Sequence, residues 1–178
     1  MTLSQIRRQV ISCQRCPRLR AYCSRIALQK RAAYRNQEYW GRPVPGFGDR
    51  RARVLVLGLA PAAHGANRTG RVFTGDGSSD FLMNAMHGEG FANLSTSRFV
   101  KDGLKLADAY ISAVVRCAPP ENKPAPKEIK NCQLHLEAEL EALTNLRIVV
   151  ALGKIAFDTY WRVVAGRELT PRPRPRFA

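Results

Sequence analysis

Apolar residues recur every three or four positions in several stretches of the chain, and this spacing is typical of amphipathic helices. Cys23 falls on one such stripe, so it is predicted to be a buried core residue. Ser78 or Ser79 stands before another stripe and is the expected N-cap of that helix. The pattern predicts five helices, over residues 3–12, 17–27, 81–86, 126–143 and 154–164.

Three short runs, residues 53–59, 109–115 and 147–152, are almost continuously apolar. Such runs are typical of strands that are buried on both faces of a parallel sheet. Because the runs alternate with helices, the sequence predicts an α/β fold, a three-layer α/β/α sandwich with a central, mainly parallel sheet. Ligands of such folds bind at the carboxyl ends of the strands. Residues 36–49, rich in Gly and Pro, are predicted to form an ordered loop.

Length and charge narrow the class of protein. The chain has 178 residues, which predicts one domain over 1–178, with a basic tail rich in Pro and Arg at 166–178. The net charge of +15 favours a nucleic-acid partner, because basic side chains release counterions from a phosphate backbone. The alternative is the ordinary surface of a basic protein. No apolar run approaches the roughly 20 residues that span a bilayer, and the N-terminus lacks a signal-peptide core. We therefore expect a cytoplasmic monomer with no membrane partner.

The five cysteines are better explained as metal ligands or core residues than as a disulfide framework, because the cytoplasm is reducing. Cys13 and Cys16 form a CxxC turn, while Cys117 follows the second predicted strand and Cys132 lies on the next helix. Four thiolates around one point suit zinc or an iron-sulfur cluster, and spacing alone does not choose between them. The alternative is that Cys117 and Cys132 fill the core.

A glycine-rich loop, residues 58–76, follows the first predicted strand. Its backbone amides can approach an anionic or carbonyl-bearing ligand closely. The loop fits neither GxGxxG nor GxxxxGK[ST], so its glycines are weak evidence for a phosphate loop. A nucleotide-binding enzyme, with Lys154 as phosphate ligand, remains an alternative at this point. Asn67, Arg68 and Arg71 are expected either to contact phosphates or to be solvated.

Four blocks of the sequence carry a family resemblance. They are GLAPAAHGANRTGRVFTGD at 58–76, CQRCPRL at 13–19, VRCAPPENKP at 115–124 and ALGKIAFDTY at 151–160. Together they resemble the family 5, or type b, uracil-DNA glycosylases of the uracil-DNA glycosylase superfamily. The resemblance implies a [4Fe-4S] cluster held by Cys13, Cys16, Cys117 and Cys132. It also implies hydrolysis of the N-glycosidic bond of uracil, hypoxanthine and xanthine in single- and double-stranded DNA, in the cytoplasm of a bacterium or archaeon.

The resemblance also assigns roles to residues of the site. A flipped base must be stacked, hydrogen-bonded and attacked by water. Asp76 is expected to position that water, with helix capping as its alternative role. The implied substrate-binding residues are Ala60, Pro61, Ala62, His64, Phe73 and Asn122: Phe73 stacks on the base, Asn122 bonds its Watson-Crick edge, and the loop amides bond uracil O2. A single His in a glycine-rich loop is more often structural, so the role of His64 stays open. No activated lysine stands out, which favours a monofunctional enzyme without a lyase step.

The sequence departs from the family at its C-terminal end. Related enzymes continue into another strand and a His-Pro-Ser loop, but none of His64, His87 and His135 is followed by Pro-Ser. We therefore expect a C-terminally incomplete domain, either a piece of a longer protein or a natural remnant. An iron-sulfur module that binds DNA without cutting it remains the alternative to an enzyme.

Overall fold

The structure is a computed structural model that describes residues 1–165 and 173–177. Of the predicted basic tail, residues 166–172 and 178 lie outside the described residues. The helices are α1 Leu3–Ile11, α2 Pro17–Gln29, α3 Ala66–Thr69, α4 Gly77–Gly88, α5 Pro126–Ala142 and α6 Lys154–Val164. The strands are β1 Phe47–Gly48, β2 Val54–Gly58, β3 Ala109–Ala113 and β4 Ile148–Ala151.

The four strands form one mixed sheet in the order β1-β3-β2-β4. β2 pairs in parallel with β3 and with β4, whereas the two-residue β1 runs antiparallel to β3. β1 lies in the segment predicted to be a loop. The many Gly and Pro residues of this segment gave no pattern from which a two-residue strand could be predicted. The predicted α/β class and mainly parallel sheet are confirmed.

Two apolar clusters cover the two faces of the sheet, because successive side chains of a strand point to opposite faces. Leu55 and Leu57 of β2 pack with Leu136 of α5 on one face. Val56 packs with Met83 of α4 on the other face. α1, α5 and α6 therefore lie on one side and α4 on the opposite side, as the three-layer prediction requires.

β4 differs from the prediction that all three strands are buried on both faces. β2 and β3 are almost entirely buried, but Ile148 and Val150 of β4 are exposed. The physical reason is position: in the described part of the chain β4 is an edge strand. The periodicity of a short apolar run carries no information about which strand lies at the edge.

A buried ion pair joins the segment after β3 to α5. The guanidinium of Arg116 donates to Glu139 Oε2 at 2.6 Å, and both side chains are 1% exposed. Ser112 donates to the same carboxylate, so the buried charges have hydrogen-bonding partners on both elements. Removal of one member of such a pair leaves an uncompensated buried charge, so this contact fixes the position of α5 against the sheet.

Candidate functional site: a cleft at the carboxyl ends of the parallel strands

The glycine-rich loop leaves β2, the strand with a parallel neighbour on each side. At the last residue of β2, a side chain on Gly58 would overlap with the ring of Phe73. Phe73 itself has a φ of +45°, a left-handed conformation that costs a non-glycine residue free energy. The loop thus folds back over the end of the strand and holds the Phe73 ring against it.

Asp76 ends this loop and is the N-cap of α4, in place of the predicted Ser78 or Ser79. Its Oδ1 accepts hydrogen bonds from the backbone N–H of Ser79 at 3.0 Å and from the hydroxyl of Ser78 at 2.6 Å. Oδ2 lies over Gly65 and accepts no hydrogen bond from the residues that the structure describes. Capping therefore uses one oxygen of Asp76 and leaves the other for a ligand.

Several predicted site residues line one cleft of about 390 Å³, hereafter the Asn122 cleft. It lies between the glycine-rich loop and the segment that follows β3. Its lining includes Tyr34, Ala62, His64, Asp76 and Asn122. Asn122 is exposed, and no described residue bonds its side-chain amide, so both its donor and its acceptor are available to a ligand.

Asn122 is held in an unusual backbone conformation. It ends a short 3₁₀ turn, Pro120–Asn122, in which Glu121 and Asn122 have φ angles of +53° and +56°. Two successive left-handed non-glycine residues are costly, and such strain is concentrated at binding sites. Prolines at 119 and 120 fix the approach to this turn.

Phe73 lines a different, smaller cavity of about 40 Å³, together with Ala60 and Pro61. Asp76 and Ala62 border both this cavity and the Asn122 cleft. The structure therefore brings Asp76 next to each predicted partner, but it does not bring Phe73 and Asn122 into one cavity. The roles assigned to these residues remain predictions.

His64 is paired with Tyr39, a residue that sequence reasoning missed. Tyr39 Oη and His64 Nδ1 are 2.9 Å apart, and the same hydroxyl accepts the backbone N–H of Arg31 at 3.3 Å. Burial, followed by the charges of Arg31 and Arg68, lowers the pKa of His64, so the ring is neutral at pH 7. The 25-residue separation in sequence gives no local signal for this pair.

The prediction that Arg68 and Arg71 either contact phosphates or are solvated is wrong. Arg68 is 8% exposed and donates to the backbone oxygens of His64 and Gly75, both at 2.7 Å. Arg71 is 5% exposed and is paired with Asp102 at 2.6 Å. Asn67 is also fully buried. These side chains hold the loop in shape and are not available to DNA.

Comparison with known proteins identifies the family. Residues 45–178 match the sequence model of the Uracil DNA glycosylase superfamily. The chain belongs to this superfamily. The Type-5 uracil-DNA glycosylase of Mycobacterium tuberculosis is 50% identical over 163 residues, which are 91% of this chain and 60% of the relative. That of Thermus thermophilus is 50% identical over 147 residues, 83% of this chain and 66% of the relative. A Type-4 enzyme of Archaeoglobus fulgidus is 28% identical over 156 residues, 87% of this chain and 61% of the relative.

This superfamily member matches only part of the length of its relatives. The chain spans about 60% of the Mycobacterium tuberculosis enzyme and 66% of the Thermus thermophilus enzyme. The described part of this glycosylase-family domain contains no helix long and apolar enough to cross a membrane. Lys154, offered above as a phosphate ligand, is paired with Asp158 at 2.6 Å and lines none of the cavities around Asp76.

The five cysteines of this superfamily member lie on the CxxC turn, on α2, on the segment after β3 and on α5. Cys16, Cys23 and Cys117 share one buried cluster, which confirms that Cys23 is a core residue. The side-chain amide of Asn131 on α5 donates to Cys16 Sγ at 3.6 Å and so joins α5 to the CxxC turn. Burial, together with the charges of Cys117 and Cys16 and against the opposing effect of Arg116, raises the pKa of Cys132 to about 12. Among residues 1–165 and 173–177, no three His, Cys, Asp or Glu side chains are close enough to hold a single metal ion.

Proposed function

We propose that the chain is the catalytic part of a uracil-DNA glycosylase that hydrolyses the N-glycosidic bond of uracil, hypoxanthine and xanthine in DNA. The observation that carries the proposal is the Asn122 cleft, where a free carboxylate oxygen, an imidazole and an unbonded amide face one space. The 50% identity to enzymes named Type-5 uracil-DNA glycosylase supports the same reaction. The net charge of +15 supports DNA as the partner.

Asp76 is suited to guide the attacking water. Cleavage leaves positive charge on the sugar and negative charge on the departing base. Because Oδ1 is anchored by Ser78 and Ser79, the carboxylate cannot rotate freely, and Oδ2 keeps its direction over Gly65. Oδ2 would hold the water against the anomeric carbon, and the carboxylate charge would stabilise the cationic sugar.

Asn122 and Phe73 supply recognition in this proposal. The Asn122 amide offers one donor and one acceptor, which match O4 and N3–H of uracil. The left-handed turn holds this amide at the edge of the cleft before the base arrives. Phe73, pressed against Gly58, offers a ring face beside Ala60 and Pro61 on which the flipped base would stack. Because Ala62 and Asp76 border both the Phe73 cavity and the Asn122 cleft, a base that contacts both Phe73 and Asn122 would lie across this shared border.

His64 is proposed to donate a hydrogen bond to the departing base. The hydroxyl oxygen of Tyr39 already accepts a hydrogen bond from the backbone N–H of Arg31. If His64 carried its proton on Nδ1, the hydroxyl would accept there as well, and its own buried hydrogen would have no acceptor. Tyr39 therefore donates to Nδ1, and the proton of the neutral ring lies on Nε2. Because His64 lines the Asn122 cleft, this N–H donor would suit the oxyanion that develops on uracil O2.

The cysteines are proposed to hold a [4Fe-4S] cluster. Four thiol side chains of the soft-ligand type come from the CxxC turn, the segment after β3 and α5, and the electrostatic effects among Cys13, Cys16, Cys117 and Cys132 support their proximity. When bound, the cluster would cross-link these elements. The chain's own residues around Asp76 would carry out the cleavage.

The decisive experiment is a glycosylase assay on oligonucleotides that contain uracil, hypoxanthine or xanthine. We expect release of the free base and an alkali-labile abasic site, without strand cleavage before alkali. DNA binding with no release of any base would instead favour a DNA-binding iron-sulfur module.

Gly65→Ala is expected to slow excision although it removes no polar group. The added methyl group would overlap with Asp76 Oδ2 and force the carboxylate away from its position. We expect the single-turnover rate to fall by about 10- to 100-fold, since a small displacement of a catalytic group can cost that much. Gly88→Ala is the control, because a side chain there meets no atom within 4 Å. Equal rates for the two variants would contradict the assigned role of Oδ2.

His64→Ala is expected to lower the single-turnover rate by about 100- to 1,000-fold, as loss of one oxyanion donor does. Tyr39→Phe, which leaves the ring in place, should have a smaller effect of about 10-fold and should shift the ¹⁵N resonance of His64 Nδ1. His87→Ala, a change at an exposed histidine of α4, is the control. An unchanged rate in His64→Ala would remove this donor from the mechanism.

A further inference from the structure

A second cleft, of about 590 Å³, lies on the other side of Asp76 and is called here the Arg98 cleft. It shares Tyr34, Asp76 and the glycines beside Asp76 with the Asn122 cleft, so the two adjoin. Arg98 and Phe99 form its outer wall. No residue assigned a catalytic or base-binding role above, other than Asp76, lines this space.

The outer wall belongs to a turn, residues 97–102, which presents apolar side chains to solvent. Phe99 is 56% exposed and Val100 is 51% exposed. Arg98 and Lys101, which flank them, are exposed as well. Single exposed apolar residues are common. Two adjacent ones between two cations are typical of a nucleic-acid contact, in which bases meet the apolar side chains and phosphates meet the cations.

The turn is built rigidly. Asp102 accepts the backbone N–H groups of Arg98 at 2.9 Å and Phe99 at 3.3 Å. Its carboxylate is paired with Arg71, which also donates to the backbone oxygen of Val100 at 3.3 Å. Burial opposes the charge of Asp102, but the bonds from Arg71, Leu104 and Arg98 outweigh it and lower the pKa to about 2. The exposed tip of the turn, Phe99 and Val100, is therefore held in position by the buried Arg71–Asp102 pair and not by packing of its own side chains.

The turn is also joined directly to the segment that carries Asp76. The backbone N–H of Gly75 donates to the carbonyl oxygen of Ser97, with an N–O distance of 2.8 Å. The hydroxyls of Ser97 and Thr74 are 2.6 Å apart. Because Gly75 precedes Asp76, the distance between the exposed tip and the proposed reaction centre is fixed.

Charge determines which part of DNA can face which part of the turn. Two carboxylates, Asp76 and Asp80, line the Arg98 cleft together with the guanidinium of Arg68, which is 8% exposed, so a phosphate inside the cleft gains little. Tyr34, with the Arg68 guanidinium 3.9 Å above its ring, supplies a second aromatic wall. A base therefore suits the cleft, and phosphates suit Arg98 and Lys101 on its rim.

We propose that the turn 97–102 is a DNA-contacting element in which Phe99 stacks on a base next to the extruded nucleotide and Val100 packs beside it, while Arg98 and Lys101 bind the flanking phosphates. The inference rests on the proposed function for the location of the extruded nucleotide. The turn would hold the neighbouring base while Asp76 acts on the extruded one.

The test uses the full chain as isolated and measures binding to a duplex that carries an abasic site, so that no excision is needed. Phe99→Ala should weaken binding by about 5- to 150-fold, the loss of stacking on one base. Arg98→Gln should reduce the slope of log K against log salt by about 1, as loss of one phosphate contact does. Ile148→Ala, at a residue of β4 that is 55% exposed, is the matched control.

A fluorescent adenine analogue next to the abasic site reports stacking directly. The wild-type chain should quench its emission, and Phe99→Ala should not. Thermal unfolding should be the same for Phe99→Ala and Ile148→Ala, since both side chains are exposed. Wild-type affinity, salt slope and quenching in the turn variants would overturn the inference while leaving the proposed glycosylase intact. Loss of affinity in Phe99→Ala without uracil release by the wild-type chain would refute the proposed function and retain the DNA contact.

Discussion

Asp76→Asn is expected to lower the single-turnover rate of uracil excision by roughly 100- to 10,000-fold while DNA binding is unchanged. Asn is as good an N-cap as Asp, so its side-chain oxygen can keep the bonds that Oδ1 accepts from Ser78 and Ser79. The substitution changes the group over Gly65 from an anionic oxygen to an amide nitrogen. The carboxylate's charge and its acceptor for water are lost together, whereas α4 remains capped.

The measurement is excision with enzyme in excess over a uracil-containing duplex, with binding followed separately on abasic-site DNA. Glu89→Gln is the matched control, because Glu89 stands at the opposite end of the same helix and is exposed. Excision at the wild-type rate by Asp76→Asn would leave capping as the only function of Asp76. A loss of rate accompanied by a large fall in the unfolding temperature would also point to capping.

The fold was predictable from the sequence wherever periodicity carries the information. α1, α5 and α6 and the buried strands β2 and β3 follow from the spacing of apolar residues. The exposure of β4 was not predictable in the same way, because it depends on which strands lie beside it. The assignment of Ser78 or Ser79 as the N-cap of α4 was wrong, whereas helix capping, the alternative role predicted for Asp76, is confirmed.

Long-range pairing explains what sequence reasoning missed in the site. Arg71 resembled a free cation, because its partner Asp102 is 31 residues away. Tyr39 lies in a segment predicted only as a loop, yet it is bonded to His64. Phe73 and Asn122 were expected around one base, whereas the structure separates them and gives Asp76 contact with both spaces. Local patterns identified the chemistry of these residues, but only the fold determines their neighbours.

Cys117→Ala is expected to abolish iron loading and to destabilise the domain. Cys13 and Cys117 are about 100 residues apart in the sequence. A cross-link that closes a loop of that size is worth about 4 to 5 kcal/mol in the chain-entropy model. For a domain of this length, its loss would lower the unfolding temperature by about 10 to 20 °C. Iron content, visible absorbance and thermal unfolding measure the three consequences.

Cys23→Ala is the matched control, since it removes a thiol of the same size from the same buried cluster. Cys23 Sγ donates to the backbone oxygen of Ala118 at 3.6 Å, which gives it a structural role, and it lies outside the proposed ligand set. We expect this variant to keep its iron and to lose only about 1 kcal/mol of stability, the value of a small buried group. Four irons retained by Cys117→Ala, or iron lost from Cys23→Ala alone, would show that the ligand set is wrong. Because uracil release by the wild-type chain is measured independently, either outcome would revise the proposed metal centre without altering the roles of Asp76 and Asn122.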